Sequence, residues 1–403
     1  MRAKTLVTCA TDGAQQGLTF EKLGVHSPGA MLCIAGRIAK IGAPHEVEAG
    51  LDGQVEVCDV GDAVIVPGLV DAHTHPLFAG DREADFCARL RGEPPPLGML
   101  ATVAQTRKAL EDVHGQDALW ERVRGRLRLM ARHGTTTMEV KTGYALHKEG
   151  EMQLLDWIAA HADETGLPRL IGTFLGAHAL PPEFFSPEAF IEYLVDHLLP
   201  VARAHGAVYA DAFCEPGFFS PAQAERYLLA ARAQGLRLRV HCDEFAAGGG
   251  AAMAAKLGVD AVDHANCISE QNIDALVAAD VVTVACPATI AYLGLSERTP
   301  ARAILTRGGL LALASDYNPG TSPCFNLQTV AYFGRALFGL SAAEALYGVT
   351  RAAARSLRVQ AGSLEVGASA DWVALAINSP QEFGWQFGGN LATMVMRAGQ
   401  LIS

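Results

Sequence analysis

Long hydrophobic runs and paired cysteines are both missing from this sequence of 403 residues. No stretch of about 18 or more uninterrupted apolar residues occurs, so we predict no transmembrane helix, and the opening MRAKTLVTCATDG does not resemble a signal peptide. The nine cysteines are odd in number, scattered and without a C-x-x-C pair, which argues against a disulfide framework and against a structural zinc cluster. We therefore expect a cytoplasmic protein with reduced thiols.

Basic residues are also fewer than acidic ones, with 32 lysines and arginines against 43 aspartates and glutamates, which gives a formal net charge of −11. An acidic surface repels phosphate backbones, so nucleic acid is a poor candidate partner, and we expect no membrane partner either. If the substrate is an anion, a local arginine must attract it. Half of the residues are hydrophobic, enough for a large core. Single cores stop growing near about 250–300 residues, so we expect one large domain and one small one.

Eight strand-like segments alternate with helix-like segments through most of the chain. The segments are 68–75, 135–144, 169–178, 208–215, 237–244, 261–267, 281–288 and 310–320. This alternation predicts an α/β fold with a parallel sheet. An open, doubly wound sheet is the alternative, but no G-x-G-x-x-G occurs and eight units favour a closed (β/α)8 barrel of the TIM type.

Both chain ends contain short β-type runs, and neither is long enough to form a stable sheet alone. We predict that residues 1–66 and 362–403 combine into one small β-sandwich, and that residues 67–361 form the barrel. Capping boxes at Ser220 with Gln223 and at Ser341 with Glu344 predict the starts of two of the helices that lie between or after the strands.

Histidines cluster at one end of the predicted strands. Five of the 13 histidines lie at or near the carboxyl end of a strand, as do two carboxylates; these residues are His73, His75, His178, His241, His264, Glu244 and Asp316. In a barrel of this kind the active site forms at those ends. Residues two apart on a strand face the same side, so His73 and His75 both point into the barrel.

A divalent metal explains two neighbouring buried imidazoles, with His241 as a third ligand and Asp316 as an acidic ligand opposite. Glu244 lies at an odd offset from His241, so it reaches the same pocket only if the strand has ended, and there it suits a general base. Plainer explanations remain for each residue. His241 could be a hydrogen-bonded core histidine, Glu244 a solvated loop residue, and Asp316 a turn residue before Asn318-Pro319-Gly320.

The motifs PGLVDAHTH, HCDE, VDHAN and ASDYNPGTSP, in this order, resemble the amidohydrolase superfamily. Within it, HTHPLFAGDREADFCARLRGE, MEVKTGYAL, FLGAHALPPEF, DAFCEPGFFS and FGGNLATMVMRAGQLI are similar to the imidazolonepropionase family. The resemblance extends from about Pro67 to the end of the chain. The motifs are specific together, although no single one would be.

The resemblance implies one zinc or iron ion per chain, held by His73, His75, His241 and Asp316. It implies Glu244 as the base acting on water, His264 as stabiliser of the reacting carbonyl oxygen, and Asp316 or Glu244 as the donor that returns the proton. The implied reaction is hydrolysis of 4-imidazolone-5-propanoate to N-formimino-L-glutamate in histidine degradation. The implied substrate contacts are Arg82 at the carboxylate tail, Tyr144, His178, Glu244, Asn318, Gly320 and Thr321. From the residues alone, Arg82 could instead pair with Asp81, Glu83 or Asp85.

Two departures from the family pattern bear on the site. The seventh strand runs into CPATIAYLGL instead of a Leu-Pro-Gly-like run, so Cys286 to Leu293 can reshape the pocket, and Cys242 follows His241 where a small residue is common. The fourth strand ends in Cys214-Glu215 without the lysine that binuclear relatives carbamylate. We favour one metal, with Glu215 as the candidate ligand for a second, and expect Lys141 to pair with a carboxylate.

Two other functions compete with this hypothesis. A deaminase of the same superfamily, acting on a cyclic amidine or purine-like ring, would share the metal ligands without needing the propionate pocket. A non-catalytic barrel scaffold is disfavoured because the whole ligand set is present. The resemblance also implies a homodimer.

Overall fold

The computed structural model describes residues 1–51 and 55–402. The N-terminal part contributes six short strands, which are β1 (Arg2–Ala3), β2 (Thr5–Val7), β3 (Val25–His26), β4 (Gly29–Ile34), β5 (Arg37–Gly42) and β6 (Val64–Pro67). Two short helices lie among them, α1 (Phe20–Leu23) and α2 (Pro44–Glu48).

Eight parallel strands follow and form one sheet in sequential order. They are β7 (Leu69–Asp71), β8 (Thr135–Lys141), β9 (Arg169–Ala177), β10 (Tyr209–Cys214), β11 (Arg237–Cys242), β12 (Ala261–His264), β13 (Val282–Ala285) and β14 (Leu311–Leu313). Each overlaps one of the eight predicted segments. Almost every strand residue is buried, as expected where a parallel sheet is covered on both faces.

The barrel closes between its first and last strands just beyond their carboxyl ends. Thr74 and Tyr317 form a parallel bridge. The amide of Asp316 donates to the carbonyl of His73 at 3.0 Å, and that of His75 donates to the carbonyl of Tyr317 at 2.9 Å. The predicted closed barrel is therefore confirmed, and the alternative of an open sheet is excluded. The closure joins the H-x-H segment directly to the Asp316 segment.

Helices surround the barrel. They are α3 (Glu83–Leu90), α4 (Gly98–Leu110), α5 (Val113–Arg132), α6 (Lys148–Ala160), α7 (Pro187–Tyr193), α8 (Leu199–Ala202), α9 (Pro221–Ala233), α10 (Gly250–Leu257), α11 (Glu270–Ala278), α12 (Pro287–Leu293), α13 (Ala301–Thr306), α14 (Leu327–Phe338), α15 (Ala342–Gly348) and α16 (Arg351–Ser356). A π-helical turn, Leu194–Leu198, joins α7 to α8, and a 3-10 turn spans Pro380–Glu382. Both predicted capping boxes form, at α9 and at α15. None of the helices in the described part of the chain is at once long and apolar enough to cross a bilayer.

Strands from both chain ends share one sheet. The last three strands are β15 (Trp372–Leu375), β16 (Ala392–Arg397) and β17 (Gln400–Leu401), and the six-stranded sheet has the order β17-β16-β15-β6-β2-β3. A second sheet, β1-β4-β5, packs against it through a small apolar core that includes Leu6, Met31, Ile65 and Trp372. The exact domain limits at residues 66, 67, 361 and 362 stay our proposal.

Gly68 joins this sheet to the barrel, between β6 and β7. A Cβ at this position would lie 2.1 Å from Oγ1 of Thr136 on β8, so only glycine permits the close approach. The amide of Gly68 donates to the carbonyl of Asp371 at 2.9 Å. The composite sheet therefore anchors the strand that leads to His73 and His75.

Candidate active site

Three imidazole rings meet at the carboxyl ends of β7 and β11. His73 Nε2 lies 3.1 Å from His75 Nε2, which lies 3.4 Å from His241 Nε2. One ligand nitrogen from each ring lies within 4.8 Å of the others, and all three side chains are buried. The side-chain parity expected for positions 73 and 75 is therefore observed.

Asp316 completes this group from the far side of the barrel closure. Its Oδ1 lies 3.3 Å from His73 Nε2 and 3.4 Å from His75 Nε2. The β14 strand has ended at Leu313, and Asp316 has a φ of 51°, a left-handed conformation that is rare outside glycine and turns the side chain inward. Its Oδ2 accepts a 2.8 Å hydrogen bond from Thr289 Oγ1.

These four side chains fit a metal ion. Burial and the neighbouring His73 and His241 lower the pKa of His75 well below its ordinary value, so this imidazole is neutral and its nitrogen is free to bind a cation. Burial also opposes charge on His73, but the Asp263 carboxylate outweighs it and raises the pKa of His73 to about 9. A metal ion would take the place of the proton on His73, because only a deprotonated imidazole nitrogen binds a cation.

Two other groups of possible ligands are less suited to an ion. His73, His264 and Cys286 lie within reach of one another, but burial raises the pKa of the Cys286 thiol well above its ordinary value, so it keeps its proton. Asp211, His241 and Asp263 form the other group, and the ammonium of Lys141 already lies between its carboxylates. Glu215, the candidate for a second metal, belongs to none of the groups found among the described residues.

Glu244 lies beside the histidines on the loop after β11. The strand ends at Cys242, and Asp243 has a φ of 50°, so the odd offset from His241 still brings Glu244 into the pocket. Its amide donates to the carboxylate of Glu215, and its own Oε1 lies 3.5 Å from His264 Nδ1. Burial and then the charges of Asp316 and Glu215 raise the pKa of Glu244 well above its ordinary value. Such a carboxyl group holds a proton more readily than an exposed glutamate does.

His264 faces the same space from the end of β12. It follows the inward Asp263 by one residue, so on a continuing strand it would point outward. A φ of 70° turns it inward, and its ring centroid lies 5.2 Å from that of His73 and 5.4 Å from that of His241. Burial lowers the pKa of His264 to about 3, so the ring is a neutral hydrogen-bond donor.

A cavity of about 230 Å³ opens above these groups. Its apolar walls come from Met99, Phe213, Phe218 and Phe245. Its polar lining includes most of the predicted site residues, namely His75, Arg82, Tyr144, His178, His241, Glu244, His264, Asp316, Asn318 and Thr321. The cavity suits a small flat molecule with a few polar groups.

Arg82 forms an ion pair and also lines the cavity. Its Nε lies 2.7 Å from Asp85 Oδ2, so the ion pair is present, yet the side chain also lines the cavity. A Cβ on Gly320 would lie 2.0 Å from Arg82 Nη1, so the absence of a side chain at Gly320 leaves room for the guanidinium. Asp85 therefore holds one edge of the guanidinium, at Nε, beside the cavity.

His178 and Tyr144 lie next to each other in the cavity lining. His178 Nδ1 lies 2.9 Å from the carbonyl of Gly143, so this nitrogen is the donor and Nε2 the acceptor. Its ring stacks on that of His75 at 5.5 Å, and burial lowers its pKa to about 4. The ring of Tyr144 lies 5.4 Å from that of His178.

The turn from Asn318 to Thr321 is held by its own hydrogen bonds. Asn318 Oδ1 accepts from the amides of Gly320 at 2.8 Å and Thr321 at 2.7 Å, and Asn318 Nδ2 donates to the carbonyl of Asp316 at 2.7 Å. The turn residue Asn318 thus fixes the backbone that carries Asp316, in addition to lining the cavity.

The divergent segment after β13 forms helix α12. Thr289 on this helix reaches Asp316, and Tyr292 stacks on Phe86 of α3 with ring centroids 5.2 Å apart. Cys242 is buried in the main core, as expected from its outward parity. The family-like motifs did not reveal Thr289, because its neighbours differ from the family pattern.

A layer of buried charges below the histidines was also missed, apart from the expectation that Lys141 pairs with a carboxylate. It consists of Glu139, Lys141, Asp211, Arg239 and Asp263, all fully buried inside strands. A signal was present in the sequence, since charged residues interrupt segments that are otherwise apolar. One of them, Arg239, stands two positions before His241.

Comparisons with known proteins match nearly the whole chain. The model of the Amidohydrolase family matches residues 64–402. Imidazolonepropionase of Herpetosiphon aurantiacus is 37% identical over 91% of this chain and 88% of its own length, and that of Pseudomonas putida is 38% identical over 93% and 94%. Imidazolonepropionase of Solibacter usitatus is 35% identical over 100% of this chain and 97% of its own.

Solved structures share the fold. E. coli guanine deaminase superposes with a TM-score of 0.71 at 18% identity, covering 99% of this chain and 97% of that one. An atrazine chlorohydrolase from Arthrobacter aurescens, complexed with zinc, gives 0.70 at 18% identity, covering 99% and 93%. At this identity the similarity describes the architecture alone.

Proposed function

Because this chain belongs to the amidohydrolase family, and to the imidazolonepropionases within it, we propose that its cavity binds 4-imidazolone-5-propanoate and hydrolyses it to N-formimino-L-glutamate. The enzyme is a hydrolase of carbon–nitrogen bonds in cyclic amides, and its family is metal-dependent. The observation that most supports the proposal is the meeting of His73, His75, His241 and Asp316 at the floor of a cavity that Arg82 also lines.

We propose that these four residues hold one zinc or iron ion. When bound, the ion supplies Lewis acidity, which brings the pKa of a water molecule down to about 7 and polarises a carbonyl group. The three imidazoles and one carboxylate form a donor set typical of zinc and of iron.

Glu244 would accept the proton of the attacking water. As the water oxygen bonds to the ring carbonyl carbon, the carbon–nitrogen bond breaks and the leaving nitrogen needs a proton, which Glu244 or Asp316 returns. The raised pKa of Glu244 suits it to hold that proton between the two events. General acid–base catalysis of this kind contributes about 10²- to 10⁴-fold.

His264 would donate a hydrogen bond to the carbonyl oxygen as negative charge develops on it. Its imidazole is neutral and buried, so donating costs no proton transfer and the surroundings screen the interaction weakly. A donor fixed in this way is worth about 3–4 kcal/mol of transition-state stabilisation.

Arg82 would bind the propionate tail, which the overall charge of −11 cannot attract. A guanidinium offers parallel N–H donors that match a carboxylate, and Asp85 holds it in place from the Nε side. Tyr144 and His178 would contact the ring. The turn formed by Asn318, Gly320 and Thr321 would hold substrate and product.

The direct test is an assay of the purified, metal-loaded protein. We expect it to consume imidazolonepropionate and to release N-formimino-L-glutamate, with no turnover of guanine, cytosine or related aminated rings. Ammonia release from those rings, without hydrolysis of imidazolonepropionate, would identify the deaminase alternative instead.

Metal analysis separates the enzyme from a scaffold. We expect one zinc or iron ion per chain, loss of activity when a chelator removes it, and recovery when it is restored. A protein that binds neither ion after reconstitution would support the scaffold alternative.

Two further properties follow from the family resemblance. We propose a homodimer, which light scattering during size-exclusion chromatography measures as twice the chain mass. We also propose a cytoplasmic location, which agrees with nine cysteines that are all unpaired; cell fractionation tests it.

A further inference from the structure

A fully buried lysine lies directly below the histidine cluster. Lys141, the last residue of β8, extends its ammonium group to three carboxylates. Its Nζ lies 2.6 Å from Asp211 Oδ2, 2.7 Å from Glu139 Oε1 and 3.3 Å from Asp263 Oδ2. An ammonium has three donors and no acceptor, so these three carboxylates use its whole hydrogen-bonding capacity.

Two of these carboxylates also face the proposed metal ligands. Asp263 Oδ2 lies 2.9 Å from His73 Nδ1, and Asp211 Oδ2 lies 3.0 Å from His241 Nδ1. These are ion-pair distances, although neither ring N–H points well enough at its oxygen to form an aligned hydrogen bond. Each oxygen thus lies between the lysine on one side and an imidazole on the other.

The charges are stable only as a group. Burial opposes a charge on Lys141, but Asp211, Glu139 and Asp263 outweigh it and raise its pKa above its ordinary value, so the lysine stays an ammonium. Removing one partner from such a buried group leaves an uncompensated charge. Lys141 therefore compensates buried negative charge on Asp211 and Asp263.

We propose that Lys141 is a positioning residue for the metal site, in which one ammonium group fixes two carboxylates and those carboxylates fix the rings of His241 and His73. This inference rests on the ligand set of the proposed function. Carboxylates behind metal-bound imidazoles fix the ring orientation and the tautomer, and their loss costs about 10- to 100-fold in metal affinity or activity. Here one lysine would set two of the four ligands.

Arg239 does not duplicate this role. Its guanidinium holds Asp263 through the other oxygen, with Nη2 2.7 Å from Oδ1, and it also donates to the carbonyls of Ala72 and Ser356. Among the described residues, the polar side chains that contact Asp211 are Lys141 and His241, and its Oδ1 has no partner. Lys141 is thus what links the Asp211–His241 pair to the Asp263–His73 pair.

The first test measures zinc affinity of the metal-free protein by competition with a chromophoric chelator. K141M keeps the length of the side chain without its charge, and we expect it to weaken zinc binding about 10- to 100-fold. The visible spectrum of the cobalt-substituted protein should change as well, because it reports ligand geometry. E344Q is the control, since Glu344 is equally buried but pairs with Arg302 near the amino end of β14, and it should leave zinc affinity within about threefold.

A double-mutant comparison then separates positioning from general damage. In a D211N/D263N background the two carboxylates behind the His241 and His73 rings are gone and Glu139 is the remaining carboxylate partner of Lys141, so adding K141M should change zinc affinity by less than about threefold. Unchanged zinc affinity in K141M alone, or an equal loss in both backgrounds, would overturn the proposal.

The single variants D211N and D263N keep the test decisive if K141M does not fold. Each should weaken zinc binding about tenfold or more, and normal affinity in both would contradict the role. Failure of the wild-type protein to bind zinc or iron would count against the proposed function, whereas zinc binding that ignores Lys141 would count against this inference alone.

Discussion

The buried polar group around Gln15, at the amino end of β14, differs from the buried polar group around the histidine cluster. At the amino end of β14, Gln15 pairs both with the amide of Leu311 at 2.8 Å and with its carbonyl at 2.9 Å, while Glu344 accepts from Arg302, Ser341 and Gly17. At the carboxyl ends of the strands, the Nδ1 atoms of His73, His75, His241 and His264 have no aligned partner.

Strained backbone is also present around the histidine cluster. Asp243, His264 and Asp316, all near the carboxyl ends, have φ values between 50° and 70°, which cost energy for residues other than glycine. Unsatisfied and strained groups cluster at functional sites, where the surrounding structure holds them in place. We therefore expect changes at the amino end to alter stability and changes at the carboxyl end to alter chemistry.

The largest effect should come from E244Q. Glutamine keeps the size of the side chain but cannot take a proton from water, so turnover should fall by at least about 10²-fold. Metal content should stay at the wild-type level, because Glu244 is outside the proposed ligand set. Parallel measurements of kcat and bound metal test this, and near-normal turnover would remove Glu244 from its assigned role.

R82A should mainly raise KM. Loss of a charged hydrogen-bonding partner costs about 1.5–3 kcal/mol, or roughly 10- to 100-fold in affinity for the propionate tail. An imidazolone without the carboxylate should show no such loss. R91A, which removes an exposed arginine paired with Glu93, is the matched control. An unchanged KM in R82A would disprove the carboxylate clamp.

Q15A should lower the free energy of unfolding by about 1–3 kcal/mol, because it leaves the amide and carbonyl of Leu311 without their partner. Activity per folded molecule should stay at the wild-type level. Q16A changes the neighbouring, exposed glutamine and should alter neither the free energy of unfolding nor the activity. Reduced kcat in folded Q15A would contradict the expectation that changes at the amino end alter stability and not chemistry.

T289V should have the smallest effect, about fivefold in kcat/KM, the value of one ordinary hydrogen bond. It removes the hydroxyl that donates to Asp316 Oδ2 while keeping the shape of the side chain. T289S retains a hydroxyl and should restore most of the activity. Equal activity in all three proteins would mean that Asp316 needs no help from α12.

The barrel and its metal-facing residues could be predicted because both depend on local patterns. Apolar runs between capped helices identify the strands, and parity identifies the inward side of an H-x-H pair. Parity also showed that Glu244 can reach the pocket only if the strand ends before it. His264 was predicted at a strand end, but its inward direction depends on a left-handed φ that no spacing rule predicts.

Partnerships between strands could not be predicted from one sequence. The contact of Lys141 with Asp211 and Asp263 joins residues of β8, β10 and β12, and it requires the register of the closed barrel. The ion pair of Arg82 with Asp85 was one of three local choices, and packing around Leu97 and Gly98, whose amides bind Asp85, determines which one forms.

The pairing of β6 with β15 imposes an order on biosynthesis. Trp372 of β15 lies opposite Pro67 of β6. In the chain, β6 comes before the barrel and β15 comes after it, so β6 is made long before its neighbour. Until then the edge of β6 that β15 will cover is open to any other extended chain. This edge therefore stays open until after Asp316, the last of the proposed metal ligands in the chain, has been made.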